Sequence, residues 1–321
     1  MSVDRILLVS LDNLGDMVFA SALAPPLRER FSQATVDIWC KQYTADVAQL
    51  VPGISEVIAS DPFWDRAPGR GKGSKTVFLR AMRQVRAKRY DVAVLAAAPW
   101  RTAAAVAATR IPVRIGLRRR KNRPFLTQAL PDENPREPVM SELARLLEPL
   151  GIKAAALRYR LDAGSLSARR ARLTANITAP YAALHPFASK QNRCVALPIW
   201  IELAHALQDR GSSILWLGST SELDLLRAAA SDAAWRFIDR DSDGTLADSA
   251  AALAGASLFV GHDSGPLHIA GAFGVPVVGI FAPGEPLRTF PQGVGPSRML
   301  ARPSPAGIGV EDILREVDAL R

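Results

Sequence analysis

The residues of this chain best suited to chemistry lie in the segment Gly261 to His268, whose sequence is GHDSGPLH. The apolar run Ala256 to Val260 precedes this segment, and a predicted helix of small residues, Ile269 to Phe273, follows it. A strand that ends where a helix begins leaves backbone N–H groups and the positive end of the helix dipole at a sheet edge. The pattern predicts a phosphate site, most specifically for a diphosphate. An ordinary turn with Ser264 as helix cap and a packed His268 would explain the same residues.

A carboxylate occupies the matching position in the N-terminal half. The segment Ser10 to Asp16 (SLDNLGD) also follows a predicted strand and precedes a predicted helix. It lacks the GxGxxG spacing of a dinucleotide site, which argues against an NAD-dependent oxidoreductase. Asp16 could act as a general base, or it could be only a capping or first-turn aspartate. Asp12 and Asn13 could fill the same role in this loop.

A third polar segment, His185 to Ser189 (HPFAS), follows the first predicted strand of the C-terminal half. Ser189 and the loop amides could receive phosphate oxygens, and Lys190 or Arg193 could neutralise their charge. The alternative is a plain turn in which His185 forms a hydrogen bond within the loop.

Glu222 follows the run Gly218 to Ser221 and could accept hydrogen bonds from a ribose, or it could be a first-turn helix glutamate. The acidic run Asp239 to Asp243 contains two overlapping DxD spacings, but one run supplies too few convergent oxygens for a metal site, so we interpret it as a solvated loop. The four histidines show no HExxH or similar spacing. We therefore expect no metal and no cofactor.

Strands alternate with helices from Arg5 to Gly116 and again from Ala182 to Phe281. This alternation predicts an α/β fold with two Rossmann-like, doubly wound parallel sheets facing each other across a ligand-binding cleft. We place the N-terminal domain at residues 1–165 and the C-terminal domain at 166–321. The amphipathic C-terminal segment Val310 to Leu320 could dock on either half and so cross back to the first.

Three local expectations follow from the same pass along the sequence. A helix is predicted from Met17 towards Arg30, kinked or restarted at Pro25-Pro26. The segment Asn122 to Pro138, with four prolines, is predicted to lack regular structure, and a helix is predicted from Val139 to Leu150.

Composition limits the class of protein. The chain has 321 residues, which suits two domains, and 22% charged residues with a mean hydropathy of +0.06 describe a globular protein. The sequence shows no apolar run of membrane-spanning length and no signal-peptide layout, so we expect a cytoplasmic protein. Cys40 and Cys194 are too far apart in sequence to suggest a disulfide framework or a CxxC metal site.

The chain is strongly basic, with a formal net charge of +9 and a pI near 10.0. The cations cluster in Arg66 to Lys75, Arg80 to Arg89 and Arg114 to Arg123. Such an excess predicts an acidic partner: nucleic acid, an anionic membrane surface or a phosphorylated substrate. A nucleic-acid-binding protein remains an alternative, although the clusters lack interleaved aromatic residues and any known nucleic-acid module.

Three blocks of the sequence resemble family 9 of the glycosyltransferases, the bacterial lipopolysaccharide heptosyltransferases. The blocks are Arg5 to Asp16 (RILLVSLDNLGD), His185 to Ser189, and Leu253 to Pro283, which contains GHDSGPLH and GVPVVGIFAP; Pro52 to Val57 (PGISEV) adds to the similarity. The resemblance implies a GT-B fold and a nucleotide-sugar donor, typically ADP-L-glycero-β-D-manno-heptose. It also implies inversion at the anomeric carbon without a metal ion.

The resemblance also implies roles for individual residues. It makes Asp16 the catalytic base, and it places Glu222 near the ribose. The remaining donor contacts that it implies are Ala188, Ser189, Asp263, Ser264, Gly265 and His268. The sequence departs from the family pattern at three positions, Phe187, His262 and Arg193. Arg193 stands where the family usually has a phosphate-binding lysine, and we expect it to contact the sugar donor as well.

The basic clusters suit an acceptor that carries carboxylates and phosphates, as the lipopolysaccharide inner core does. The residues that we expect at the acceptor are Asn13, Arg66, Arg70, Lys72, Arg118 and Arg119. The expected protein is a monomer that transfers a heptose to an acidic glycolipid, touches the cytoplasmic face of the inner membrane transiently and binds no nucleic acid. The same fold could instead use a different donor or act on O-antigen, a protein or a secondary metabolite.

Overall fold

The computed structural model describes residues 3–65, 71–132, 134, 136–153, 156–188, 190–230, 232–241, 245–284 and 286–320. The chain divides into two compact units, Met1–Tyr159 and Arg160–Arg321. We call them unit 1 and unit 2. In the ranges given above, no helix is long and apolar enough to cross a membrane.

Unit 1 is built on a six-stranded sheet with the strand order β3-β2-β1-β4-β5-β6. The strands are β1 (Arg5–Ser10), β2 (Thr35–Cys40), β3 (Val57–Ala59), β4 (Val92–Leu95), β5 (Val113–Leu117) and β6 (Gln128–Leu130). The α-helices are α1 (Leu14–Ser21), α2 (Ala24–Arg30), α3 (Ala45–Ala48), α4 (Lys75–Ala87), α5 (Trp100–Ala108) and α6 (Val139–Arg145). The strands pair in parallel, so their carboxyl ends lie along one edge.

Unit 2 repeats the plan, with the strand order β12-β11-β10-β7-β8-β9. The strands are β7 (Tyr181–His185), β8 (Ser213–Gly218), β9 (Arg236–Asp239), β10 (Leu258–His262), β11 (Val277–Phe281) and β12 (Ser297–Ala301). The α-helices are α7 (Ser167–Leu173), α8 (Leu197–Asp209), α9 (Thr220–Ala229), α10 (Leu246–Ala254), α11 (Gly265–Ala272), α12 (Pro286–Thr289) and α13 (Val310–Asp318). Both sheets thus have the Rossmann order, and the predicted α/β class and parallel sheets are confirmed.

The central strands are buried on both faces, as parallel sheets require. In β1, the side chains Ile6 to Val9 are completely buried, and β10 likewise buries Phe259 and Val260. Gly261 belongs to the same packing, because a Cβ atom there would lie 2.6 Å from the Phe259 ring. The two strands therefore hold the loops at their carboxyl ends in fixed positions.

The helix predicted from Met17 towards Arg30 restarts at Pro25-Pro26, as expected. It begins earlier, at Leu14, and it is divided into α1 and α2, which meet at Ala22 and Leu23. Pro25 and Pro26 lie in the first turn of α2, where a missing backbone N–H costs nothing.

Other local predictions need correction. The segment Asn122 to Pro138 is not irregular throughout, because it contributes the edge strand β6, which pairs with β5. Helix α6 ends at Arg145 and is followed by a separate 3-10 turn at Glu148–Leu150, so the predicted helix to Leu150 is too long.

The division between the units falls six residues before the expected one at 165/166. The backbone N–H of Leu161 donates to the carbonyl of Ala272 in α11. Helix α7 packs on α10, where Arg169 and Arg172 contact the buried carboxylate of Asp248 at 2.9 and 3.1 Å. The terminal helix α13 packs against α8 and β12 of its own unit.

Candidate active site

The chain reverses direction across the sheet of unit 2 between β7 and β10, which are neighbours in the sheet but not in sequence. Ligands of open α/β sheets bind at such a switch point, outside the carboxyl ends of the strands. His185 ends β7, and His262 ends β10. Ser264 bridges the two strands, because its Oγ donates to the carbonyl of His262 at 3.1 Å and lies 3.4 Å from Nδ1 of His185.

Helix α11 begins at this switch point with Gly265 and Pro266 as its first two residues. Ser264 occupies the N-cap position, but its side chain makes no capping hydrogen bond. Ser264 therefore does not cap the helix in the way that the alternative of an ordinary turn required, because its hydroxyl turns towards His185 and the His262 carbonyl. The positive end of α11 is consequently open to an external anion.

Asp263 is the centre of a polar cluster beside this helix start. Its Oδ2 accepts a hydrogen bond from Oγ1 of Thr289 at 3.2 Å and lies 4.0 Å from Nη1 of Arg193. Its Oδ1 lies 3.6 Å from Nε2 of the buried His268. The structure thus brings together Arg193, Asp263, Ser264, Gly265 and His268, five of the predicted donor residues.

Two buried histidines line the base of this cluster. Burial, reinforced by the charge of Arg240, lowers the pKa of His185 to about 3. Burial and the neighbouring His185 lower the pKa of His262 to about 3 as well. Nε2 of His185 is buried and has no hydrogen-bond partner among the residues that the structure describes. Both rings are neutral near pH 7 and contribute hydrogen-bonding atoms rather than charge.

The segment between β7 and α8 carries two further predicted donor contacts, Ala188 and Ser189. The backbone N–H of Val195 donates to Nε2 of His262 at 3.0 Å, and Arg193 ends a 3-10 turn, Gln191–Arg193. Ala188 is half-buried, and the Cys194 thiol donates to the carbonyl of Lys190 at 3.8 Å. Ser189 lies outside the described residues.

Glu222 lies at the start of α9, after β8. Its Oε2 accepts from the backbone N–H of Ser219 at 2.8 Å, which completes a capping box, and Nη2 of Arg240 is 3.5 Å away. This is the first-turn arrangement that the sequence allowed as an alternative. A contact between Glu222 and a ribose stays a prediction.

In unit 1, Asp16 is the third residue of α1 and follows β1 at that sheet's own switch point, between β1 and β4. Its half-buried carboxylate accepts hydrogen bonds from the backbone of Asn13 and from its own N–H. Burial, with a smaller contribution from the charge of Asp12, raises its pKa to about 6, against the opposing effects of those hydrogen bonds and of Lys41. A carboxylate with a pKa near neutrality is suited to accept a proton.

Three residues near these sites were not predicted. Lys41, buried and paired with Asp65, is the first residue after β2, and Arg240 is the first residue after β9. The sequence could have indicated Lys41 and Arg240, because each directly follows a predicted strand. Thr289 gave no such signal, because it lies in a short helix that the sequence pattern did not indicate.

The residues expected at the acceptor are exposed where the structure describes them. Asn13, Lys72 and Arg118 are exposed, and Arg119 is held by Asp132 and Glu142, each at 3.3 Å. Arg66 and Arg70 lie outside the described residues. Within the described ranges, no group of three or more His, Cys, Asp or Glu side chains is arranged to hold a metal ion.

Comparison with known proteins identifies the family. The family model for glycosyltransferase family 9 (heptosyltransferase) matches residues 78–302, more than two thirds of the chain. The chain belongs to glycosyltransferase family 9. No curated protein sequence matches it.

Solved structures show that this family 9 glycosyltransferase has the GT-B fold. A family 9 glycosyltransferase from Veillonella parvula superposes with a TM-score of 0.85 at 18% identity, covering 100% of this chain and 98% of that one. The E. coli ADP-heptose LPS heptosyltransferase II gives 0.80 at 20% identity, covering 98% of both chains. E. coli heptosyltransferase WaaC with ADP gives 0.80 at 17%, covering 99% of this chain and 100% of that one.

The raised pKa of Asp16 predicts a cost in stability at neutral pH. Between the ordinary carboxyl pKa of 3.8 and about 6, the folded state holds a proton that the unfolded state has released, so the cost develops as pH rises through this window and is complete above it. One pKa unit corresponds to about 1.4 kcal/mol, and solvent screening of a half-buried group reduces the effect. We expect Asp16→Asn to raise the free energy of unfolding by about 1–2 kcal/mol near pH 8, as measured by urea denaturation.

The gain should vanish below about pH 3, where the wild-type carboxyl is protonated in both states. The exposed Asp209→Asn serves as a control and should change the unfolding free energy by less than about 0.5 kcal/mol at either pH. An Asp16→Asn gain that persists in acid would contradict the assignment to ionisation.

Proposed function

We propose that this family 9 enzyme is an inverting, metal-independent transferase that moves a heptose or related sugar from ADP-heptose to an acidic lipopolysaccharide core acceptor. The observation that carries the proposal is the uncapped start of α11 at the switch point of unit 2, beside Arg193. There, a helix dipole and a guanidinium favour the same negative charge.

In the proposed reaction, unit 2 holds the donor diphosphate. The backbone N–H of Gly265, the positive end of the α11 dipole and the guanidinium of Arg193 bind its oxygens and stabilise the charge that grows on the leaving group. The bond between C1 of the sugar and the phosphate oxygen breaks, and the nucleoside diphosphate departs with that electron pair. Asp263, anchored by Thr289, offers carboxylate oxygens to sugar hydroxyls.

Asp16 of unit 1 acts as the general base. It takes the proton of an acceptor hydroxyl while that oxygen forms its bond to C1 from the face opposite the leaving group, which inverts the anomeric carbon. The pKa of about 6 makes Asp16 ionised and still appreciably basic near pH 7. No metal or cofactor takes part in the proposed steps.

The choice of ADP-heptose rests on relatives. An E. coli relative is named as an ADP-heptose LPS heptosyltransferase, and another was solved with ADP. The identities of 17–20% support the choice without fixing the base or the sugar. We expect the ribose beside Glu222, whose Oε2 lies 3.5 Å from Nη2 of Arg240.

A thermal-shift screen of nucleotide sugars tests the donor. ADP-heptose, ADP-glucose, UDP-glucose and GDP-mannose are compared on the wild type and on Arg193→Ala. A true donor at about 100 times its dissociation constant stabilises the protein by roughly 2.7 kcal/mol, so we expect a clear rise in Tm with ADP-heptose that Arg193→Ala diminishes. Stabilisation only by a uridine or guanosine nucleotide would replace the donor, and stabilisation by none would contradict the proposal.

Transfer kinetics test the base. Once a donor is verified, Asp16→Ala should lower kcat by about 10²–10⁴-fold while leaving nucleotide binding intact. Wild-type activity should fall as pH drops through about 6, because the base becomes protonated. Asp12→Asn removes a neighbouring negative charge and should move this acid limb to lower pH. Near-wild-type transfer by Asp16→Ala would refute the assignment.

Helix α4 supports an acidic acceptor and a contact with an anionic membrane. Residues 66–90 contain nine cations and no acidic residue. The helix buries Phe78, Ala81 and Val85 and exposes Arg80, Arg83 and Arg86 together with Leu79, which is 45% exposed. A cationic face with exposed apolar side chains suits the cytoplasmic surface of the inner membrane.

Vesicle co-sedimentation tests this contact. Each cation near an anionic bilayer contributes about 1 kcal/mol, so replacing Arg80, Arg83 and Arg86 by Gln should weaken binding to phosphatidylglycerol vesicles by about tenfold or more. Binding should also weaken with salt and be absent on phosphatidylcholine. The matched control replaces the exposed Arg227, Arg298 and Arg315 of unit 2 by Gln. Equal losses in the two triple variants would assign the effect to net charge rather than to α4.

A further inference from the structure

Arg193, the cation at the start of α11, lies on a short segment whose backbone is hydrogen-bonded to one buried histidine. The segment runs from Lys190 to Ala196, between β7 and α8. Within it, the backbone N–H of Arg193 donates to the carbonyl of Lys190, and that of Cys194 donates to the carbonyl of Gln191, each at 3.0 Å. These bonds close the turn on itself and do not fix it to the sheet.

One link to the sheet is the hydrogen bond from the N–H of Val195 to Nε2 of His262, at 3.0 Å. The side chain of Val195 is also buried in the core of unit 2. Nε2 therefore acts as the acceptor, and the imidazole proton resides on Nδ1. His262 is 1% exposed and its ring lies 5.3 Å from that of Trp200 in α8, so the acceptor atom is held in place by packing. A buried backbone donor such as this one needs a partner.

The residue after His262 is Asp263, whose Oδ2 lies 4.0 Å from Nη1 of Arg193. Two consecutive residues at the end of β10 thus contact the segment at two points, one on its backbone and one on its cation. The same two residues lead directly into α11. The backbone contact can keep the guanidinium of Arg193 beside the first turn of that helix.

We propose that His262 is a positioning residue for the donor site: its Nε2 holds the Val195 backbone so that Arg193 faces the anion-binding start of α11. We call the hydrogen bond between Val195 and His262 the tether; it lies within unit 2 and does not depend on the proposed function. Only the identity of the ligand, a nucleoside diphosphate, rests on that function. Burial keeps the pKa of His262 far below neutrality, so the acceptor persists at physiological pH.

Cys194 gives a readout of the tether that needs no nucleotide. The chain has two cysteines; Cys40 is completely buried, and Cys194, half-buried, lies between Arg193 and Val195. We expect His262→Phe, which keeps an aromatic ring beside Trp200 but removes the acceptor, to speed the alkylation of Cys194 by neutral iodoacetamide about three- to tenfold. His262→Gln, whose amide oxygen can accept the Val195 N–H, should stay closer to the wild type. The matched control His205→Phe changes an exposed histidine of α8 and should have no effect.

Calorimetric titration with ADP measures the consequence for the site. Arg193→Ala should weaken ADP binding about tenfold or more, His262→Phe should weaken it about three- to tenfold, and the double variant should be no weaker than Arg193→Ala alone. Circular dichroism and Tm of each variant verify folding.

The two measurements separate the possible failures. Unchanged Cys194 alkylation in His262→Phe would overturn the tether, and multiplying effects in the double variant would show that His262 does not act through Arg193. A folded wild type that binds neither ADP nor UDP nor GDP would contradict the proposed function and the ligand half of the inference, whereas the alkylation rates would still decide the tether.

Discussion

The constraint on which both candidate sites depend is the direction of the strands. In a parallel sheet every strand ends at the same edge, and where the strand order reverses, the two flanking helices leave to opposite faces and their starts separate. Unit 1 reverses between β1 and β4, and unit 2 between β7 and β10. Asp16 follows one of these strands in unit 1, and the segment Gly261 to His268 spans the end of another in unit 2. Sheet topology, rather than any local motif, selects these residues from the many polar side chains.

The two sites use burial in opposite ways. At Asp16, burial and the like charge of Asp12 raise the pKa to about 6, as the proposed general base requires, at a cost in stability. At His185 and His262, burial suppresses charge and leaves neutral hydrogen-bonding rings. Positive charge around the start of α11 therefore comes from Arg193 and the helix dipole. A permanently charged guanidinium retains its attraction for a diphosphate at any pH at which the base is ionised.

Local patterns in the sequence located most strands and the loops that follow them, because hydrophobic runs and turn residues are short-range signals. The same patterns left open whether Ser264 caps α11, since its choice between helix amides and His185 depends on a residue 79 positions away. Strands β6 and β12 and helix α7 were missed because they lie at sheet edges or on the surface, where the pattern is weak. Lys41 and Arg240 each follow a strand, but sequence spacing does not show their contacts with Asp65 and Glu222, nor that of Thr289 with Asp263.

The contacts around Asp263 connect two departures from the family pattern that are separate in sequence. Arg193 stands where a lysine is usual, and His262 where an asparagine is usual. The structure links them through the Val195 N–H and the Asp263 carboxylate. A guanidinium is longer and planar, so it tolerates less freedom in its backbone than a flexible ammonium does. Nε2 of His262, fixed by packing against Trp200, limits that freedom. Substitutions of Arg193 and of His262 are therefore expected to have coupled effects on ligand binding.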